Sequence, residues 1–375
     1  MKTVIEHLSN LIRKDSVSSI SNRAVVDYAI EVLHAAEWQT RLAAYRDAAG
    51  IEKVNLIAAP PRQQIENPAV DLVFMCHTDT VPHAAAWTRA LDPFERDGLL
   101  YGCGACDVKG FLACLLTAIS ESHAGRFADG LRLVLTADEE VGCVGASQLL
   151  SAGLLEPQRV VIGEPTSLHV ARAGKGYCVA EITVLGHEAH SAHPQQGQSA
   201  IYGAARLITA IEQYAAQLMQ EQDNFYSPGF TTLNVGTIQG GTAKNIVPGQ
   251  CKFQLEWRPL PGRPADVMLQ LIKKTAEQRQ NGGACCQYEM KVMRQQTGFE
   301  TDADSPLVRA LENLTGRAAT SIPFASEASL LATFADEVVV FGPGDMRTAH
   351  SERECVPISE LEEAVAVIRM LMRAS

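Results

Sequence analysis

Three consecutive carboxylates, Asp138, Glu139 and Glu140, follow an alternating run of branched residues at positions 131–136. Such alternation favours a strand, and neighbours within a strand point to opposite faces. Where a strand gives way to a loop, the carboxylates can instead turn towards one site. Crowded carboxylates repel one another unless cations hold them, and hard divalent metals do this well. A solvated acidic turn is the plainer reading of these three residues alone, so the rest of the chain must decide.

Four further residues could share such a site. His77 follows a dense apolar run at 70–76, and Asp107 leads through Val108-Lys109-Gly110 into an apolar helix. Glu164 ends a second apolar run at 159–163, and His350 lies late in the chain. Each has an ordinary alternative. A lone histidine is more often a satisfied core or surface residue, Asp107 could cap its helix, and Glu164-Pro165 could be a turn. Together with Glu140, however, all five fall on one predicted sheet edge. A pair of divalent metals sharing a carboxylate needs about two further ligands each and keeps a position open for water. Asp79, two residues after His77, is placed to hydrogen-bond the second nitrogen of the imidazole and fix its tautomer. Glu139, beside the ligand candidate Glu140, is the natural general base for a metal-bound water.

The elements that would position these groups repeat as strand, polar terminus and helix, the pattern of a doubly wound α/β domain. Ligands in such sheets gather beyond the carboxyl ends of the strands. From about Gly174 the rhythm changes. Strands at 177–185, 231–239, 251–259 and 286–293 and helices at 199–219 and 265–280 give the order β-α-β-β-α-β. The expected fold class is therefore α/β. A doubly wound, mostly parallel sheet domain over residues 1–173 and 295–375 is interrupted by a ferredoxin-like α+β domain over 174–294.

Composition narrows the function. A chain of 375 residues with 46% hydrophobic content has enough for two cores. The net charge of -11 argues against nucleic acid or an anionic membrane as partner. Residues 1–14 read as an amphipathic helix without the apolar core of a signal peptide. The best apolar run, 110–119, is half the ~20 residues of a membrane span. Ten cysteines without a regular framework point to a cytoplasmic protein with reduced thiols. Cys103-Gly104-Ala105-Cys106 has no second C-x-x-C to complete a structural zinc site. It also abuts a helix start that would lower a thiol pKa, so a redox dithiol is an alternative. Cys285-Cys286 reads as packing.

The ordered motifs His77-x-Asp79, Asp107-x-Lys109-Gly110, Glu139-Glu140, Gly163-Glu164-Pro165-Thr166 and Ala349-His350 resemble those of the dinuclear-zinc amidohydrolase and peptidase family. The likeness runs from the first predicted helix to the last. It implies two Zn2+ per chain, replaceable by Co2+ or Mn2+, with His77 and Glu164 on one and Glu140 and His350 on the other. Asp107 would bridge them and Glu139 would act as base. It also implies that the insert is a lid and dimerisation domain of a homodimer. There His190 would reach the partner subunit's site to stabilise the oxyanion, with His187 and His193 as competing choices. By the same resemblance Asn245 and Arg258 hold substrate polar groups and the α-carboxylate, which suits the bidentate fork of arginine. Glu327 would pair with a cationic substrate side chain.

Phe324-Ala325-Ser326-Glu327-Ala328, Gly342-Pro343-Gly344 and Glu354-Cys355-Val356 are most like the branch acting on N-acetyl-L-ornithine; desuccinylases have Ser-Asp-Gly in place of Ser326-Glu327-Ala328. The implied activity is hydrolysis of the amide of a small N-acyl amino acid, N-acetyl-L-ornithine first, in arginine biosynthesis. N-acetylcitrulline, succinyl-diaminopimelate and dipeptides are the alternative substrates. A catalytically dead metal-binding protein or a redox sensor is the alternative outside enzymes. An intact Glu139 beside a full ligand set speaks against the first, and the single C-x-x-C against the second. One departure from the family is Cys103, which stands where many members have arginine.

Overall fold

The computed structural model describes residues 2–122, 127–281 and 286–373, so Cys285 lies outside the described residues. The chain forms two compact units. One comprises Met1–Ala173, Glu300–Thr320 and Ser326–Ser375, and the other Gly174–Phe299 with Ser321–Ala325. The short segment Ser321–Ala325 has no signal of its own in the sequence and joins the second unit only through the fold.

In chain order the first unit begins with α1 (Val4–Ile12) and α2 (Arg23–Ala35). A capping box closes the start of α1: the Thr3 side chain accepts the Glu6 N–H and Glu6 accepts the Thr3 N–H. Strands β1 (Gln39–Arg46), β2 (Glu52–Ala59) and β3 (Ala69–His77) follow, then the short β4 (Phe94–Arg96) and β5 (Leu99–Tyr101). Next come α3 (Lys109–Glu121), β6 (Leu131–Thr136), α4 (Val144–Ser151), β7 (Glu156–Gly163) and β8 (Ala171–Gly174). The second unit contributes β9 (Tyr177–Leu185), α5 (Ala200–Leu218), β10 (Thr232–Gly240), β11 (Gln250–Arg258), α6 (Val267–Asn281) and β12 (Gln287–Gln296). After β13 (Phe299–Glu300) come α7 (Pro306–Thr315), β14 (Thr320–Ile322), α8 (Ala328–Leu331), β15 (Glu337–Phe341), β16 (Cys355–Pro357) and α9 (Ile358–Leu371).

The central sheet has the order β1-β2-β6-β3-β7-β15-β8-β13, with β14 paired to β8 off this path. Pairs β6–β3, β3–β7 and β7–β15 are parallel, while β1–β2 and β2–β6 are antiparallel. Parallel strands covered on both faces read as continuous apolar runs, and these do. Leu72, Phe74, Leu131, Leu133 and Leu135 enter the core that α1, α2, α3 and α9 complete. The alternate set Val73, Met75, Val134, Val160 and Ile162 is equally buried, so the opposite face is covered too. Arg132 survives inside β6 because its guanidinium bonds Gln63 Oε1 and the main-chain oxygens of Leu131 and Gln64.

The second unit folds its elements in the expected β-α-β-β-α-β order, with an antiparallel sheet ordered β10-β11-β9-β12. Cys178, Ala180, Ile182 and Val184 of β9 share one face with Cys251, Phe253, Leu255 and Trp257 of β11. Leu207 and Ile211 of α5 and Met268 and Ile272 of α6 complete that core. No helix among the described residues is long and apolar enough to cross a membrane.

Candidate active site

The parallel strands deliver the site. His77 is the last residue of β3, Glu139 and Glu140 lie just past β6, and Glu164 follows β7. Asp107 precedes α3, and His350 follows β15 with φ of 58° in the left-handed region. Glycine is required at the end of β7. A Cβ on Gly163 would sit 2.0 Å from the Phe111 ring, so only glycine lets the strand pass and present Glu164.

Asp107 is the centre of the arrangement. Its Oδ1 lies 3.1 Å from His77 Nε2 and its Oδ2 lies 2.9 Å from His350 Nε2. On the His77 side, Glu164 Oε1 is 3.9 Å from the same imidazole nitrogen. On the other side, Glu140 Oε1 is 3.2 Å from His350 Nε2. Donor atoms of His77, Asp107 and Glu140 lie within 4.8 Å of one another. All five ligand candidates thus meet, in two sets with one oxygen of Asp107 facing each.

The charges explain what such a cluster requires. Asp79, Asp107, Glu139, Glu140, Glu164 and Glu327 gather around only two imidazoles, and five of the six carboxylates are buried. Burial pushes the Glu139 carboxyl up to about 8, and the charges of Glu140, Glu327 and Asp79 act the same way. Burial, then the charge of Asp107, holds Glu164 well above the usual carboxylate range. Burial also opposes ionisation of Asp107, but its bonds to His350 and His77 prevail and keep it low. Those to Asp107 and Glu140 raise His350 to about 10. Burial pulls the His77 imidazole down, yet Asp107 and Asp79 outweigh it and hold it well above its ordinary value. Nitrogen and oxygen donors with surplus buried negative charge fit a pair of divalent cations.

Of the two acidic neighbours, Asp79 pairs with His77 and does further work, while Asp138 stands apart. The Asp79 carboxylate lies 3.6 Å from His77 Nδ1, which instead bonds the Asp79 main-chain oxygen at 2.9 Å. That carboxylate accepts the N–H of Glu139 at 3.1 Å, the N–H of Glu140 at 3.3 Å and the Ser18 hydroxyl at 2.8 Å. It therefore fixes the main chain that carries Glu139. Asp138, with φ of 57°, does not join the site at all. Lys53 Nζ lies 2.8 Å from its carboxylate and the Tyr45 hydroxyl donates to it at 2.8 Å. This pairing anchors the turn and leaves Glu139 to face the ligands. Glu139 Oε1 accepts from the Cys143 thiol at 3.4 Å.

Glu327 also lies here. It is 1% exposed, near His77 and Asp79, with the Thr136 hydroxyl beside its carboxylate. Burial first raises its carboxyl to about 7. Its burial matches that of His77, Asp107 and Glu139 in the same cluster.

Within the second unit, His190 and Asn245 come together. His190 pairs with Ile246 in an isolated bridge, and the Ser191 N–H donates to Asn245 O at 3.0 Å. His190 is exposed and its Nδ1 accepts the Ala192 N–H at 3.1 Å. Its competitor His187 pairs with Gln198. Arg258 donates from Nε to Glu256 at 2.9 Å and lies over the Tyr177 ring, 4.6 Å from its centroid.

The described cysteines are free thiols. Burial pushes Cys103 up to about 11 and Cys106 well above its ordinary value. Both thiols are buried, whereas a redox dithiol works through an accessible thiolate. Lys53 and Tyr45 escaped sequence reasoning, and Glu354 entered it only within the Glu354-Cys355-Val356 likeness, with no role of its own. A lysine heading the apolar run 54–59 was the one available signal, since buried lysine implies a paired carboxylate.

The peptidase family M20/M25/M40 model matches residues 73–374. An acetylornithine deacetylase of Myxococcus xanthus is 42% identical over 362 residues, covering 96% of this chain and 94% of the relative. An acetylornithine deacetylase of Yersinia pseudotuberculosis is 32% identical over 331 residues, covering 85% and 83%. Among solved structures, a Staphylococcus aureus tripeptidase superposes with a TM-score of 0.75 at 22% identity, over 99% of this chain and 97% of that one. A Bacillus subtilis dinuclear metal binding peptidase of the M20 family gives 0.69 at 15% identity, over 98% and 96%. The fold, the gathered donors and these likenesses together place the chain in the peptidase family M20/M25/M40, as a metal-dependent amidohydrolase.

Proposed function

We propose that the chain hydrolyses the amide bond of N-acyl amino acids, N-acetyl-L-ornithine before others, to give L-ornithine and acetate in arginine biosynthesis. The observation that carries this reading is the 42% identity with the Myxococcus xanthus acetylornithine deacetylase across 96% of the chain. Two zinc ions would be held by His77 with Glu164 and by Glu140 with His350, Asp107 lying between. When bound, they supply Lewis-acid polarisation of the acyl carbonyl and a water of lowered pKa. Glu139 takes the proton of the attacking water and hands it to the leaving amine. His190 serves as oxyanion donor. Its Nδ1 accepts a peptide N–H, so the neutral ring carries its proton on Nε2, free to donate. Arg258 holds the α-carboxylate, and Asn245 a polar group of the substrate.

The substrate assignment is tested with a panel of N-acyl amino acids and dipeptides. N-acetyl-L-ornithine is expected to give the highest kcat/KM. A lead for N-acetylcitrulline or a succinylated substrate would retire the named substrate and leave the reaction class.

We read the second unit as a lid and dimerisation domain whose His190 serves the partner subunit. A His190→Ala chain and a Glu139→Gln chain, each nearly inactive, should regain activity when co-assembled. One site of each mixed dimer then combines an intact base with an intact donor, so about half the sites should work, by the independence of separate sites. Verified mixed dimers without recovery would restrict His190 to its own chain or remove it from the reaction.

A further inference from the structure

Glu354 lies four residues past His350 and is 2% exposed. Its Oε1 accepts the main-chain N–H groups of Cys106 and Asp107, each at 3.2 Å, and the Cys106 thiol at 3.7 Å. Its own carbonyl accepts the Gly102 N–H at 3.3 Å, and its N–H donates to Ser351 O at 2.9 Å. One residue therefore ties the loop 102–107, by side chain and main chain, to the segment that carries His350. That segment reaches the loop a second time, where His350 faces Asp107 Oδ2 at 2.9 Å. Asp107 is thus gripped at its amide by Glu354 and at its carboxylate by His350.

We infer that Glu354 is a positioning residue, whose carboxylate fixes the Cys106–Asp107 peptide so that the two oxygens of Asp107 face His77 and His350 separately. The direction of the Asp107 Cα–Cβ bond follows the peptide plane on either side of it. A shared carboxylate must present both oxygens at once, so a small rotation of that plane takes one of them out of reach. Groups that hold a metal ligand in place act on affinity even without touching the metal. Glu354 Oε1 is shared by the amides of Cys106 and Asp107, and the carboxylate also takes the Gly104 N–H; a glutamine side-chain oxygen can keep the pair that flanks Asp107.

The inference rests on the two-cation reading of the site, and its test uses cobalt(II) in place of substrate. Affinity is measured by chelator competition, together with the visible cobalt spectrum and the melting temperature of the metal-stripped protein. Glu354→Gln should bind cobalt about as the wild type does. Glu354→Ala should bind it more weakly by the ~10–100-fold typical when the support of a ligand is removed, with an altered spectrum. Its metal-stripped form should still melt cooperatively, at a lower temperature than Glu354→Gln because two buried amides lose their acceptor. Should the alanine variant fail to fold, Glu354→Asp withdraws the oxygen by one methylene and is expected to show the same loss. Wild-type affinity and spectrum in Glu354→Ala or Glu354→Asp, or equal impairment in Glu354→Gln, would overturn the inference. A wild-type chain that binds no cobalt would overturn the two-cation reading instead.

Discussion

Glu139→Gln is expected to lower kcat by at least the ~100-fold typical of a positioned general base, with metal content unchanged. The expectation follows from separable roles in two adjacent residues. Glu140 faces His350, whereas Glu139 bonds only the weakly donating thiol of Cys143 among the side-chain contacts named above. The main chain should not move on substitution. The Glu139 N–H is held by Asp79, and its carbonyl accepts the N–H groups of Gly142 and Cys143, each at 2.9 Å. Glutamine preserves shape and volume but cannot carry the proton. A second readout uses protein stripped of metal by chelation. Burial raises the Glu139 carboxyl from 4.5 to about 8, so the folded chain binds an extra proton between those values. This contribution to stability is full below 4.5 and is lost as pH rises through 8. Glutamine has no such proton, so the melting temperature of the stripped variant should fall less steeply between pH 5 and 8 than that of the wild type. Near-normal turnover, or metal lost in step with activity, would move the base elsewhere.

The gathering of the candidate ligands was legible because topology does most of the placing. Parallel strands that are apolar throughout end at one sheet edge, and a polar residue directly after such a run has few other places to go. His77, Glu140 and Glu164 needed no more than that. What stayed hidden depends on which atom of a residue is used, or on neighbours remote in the chain. Asp138, Glu139 and Glu140 look alike as a tripeptide. Only the left-handed backbone at Asp138, and Lys53 and Tyr45 arriving from β2 and β1, separate the anchor from the proposed base and ligand. Spacing correctly put Asp79 beside His77, but the imidazole takes its main-chain oxygen and leaves the carboxylate to the Glu139 turn. Glu354 acts on amides 248 and 247 positions away, a pairing with no local signal. For Glu327 the family likeness supplied a substrate-facing role, and the fold adds that it is buried beside His77 and Asp79, which no local pattern foretells. Cys103 and Cys106 carry a motif whose chemistry requires an accessible thiolate, and burial withholds it.

The substitution with the widest reach is Asp107→Ala. Each metal set loses a ligand, because the two Asp107 oxygens face His77 at 3.1 Å and His350 at 2.9 Å. The remaining pairs, His77 with Glu164 and Glu140 with His350, keep two protein donors each, too few to hold a divalent cation firmly. Metal content measured by elemental analysis should fall from two per chain to one or fewer. Lewis-acid assistance is worth several kcal/mol, and ~1.4 kcal/mol is a factor of ten, so kcat/KM should fall by about 1,000-fold or more. Asp107→Asn is the graded case. It keeps one good acceptor oxygen but replaces the other with an amide donor, so one metal set should persist while the second is lost. The substitutions also report on charge. Asp107 is, after burial, the main influence holding the Glu164 carboxyl high, so in metal-stripped Asp107→Ala that carboxyl should fall back towards its ordinary range. An Asp107→Ala chain that retains two metals would show that Asp107 is not the shared ligand, and the two sets would then need a different bridge.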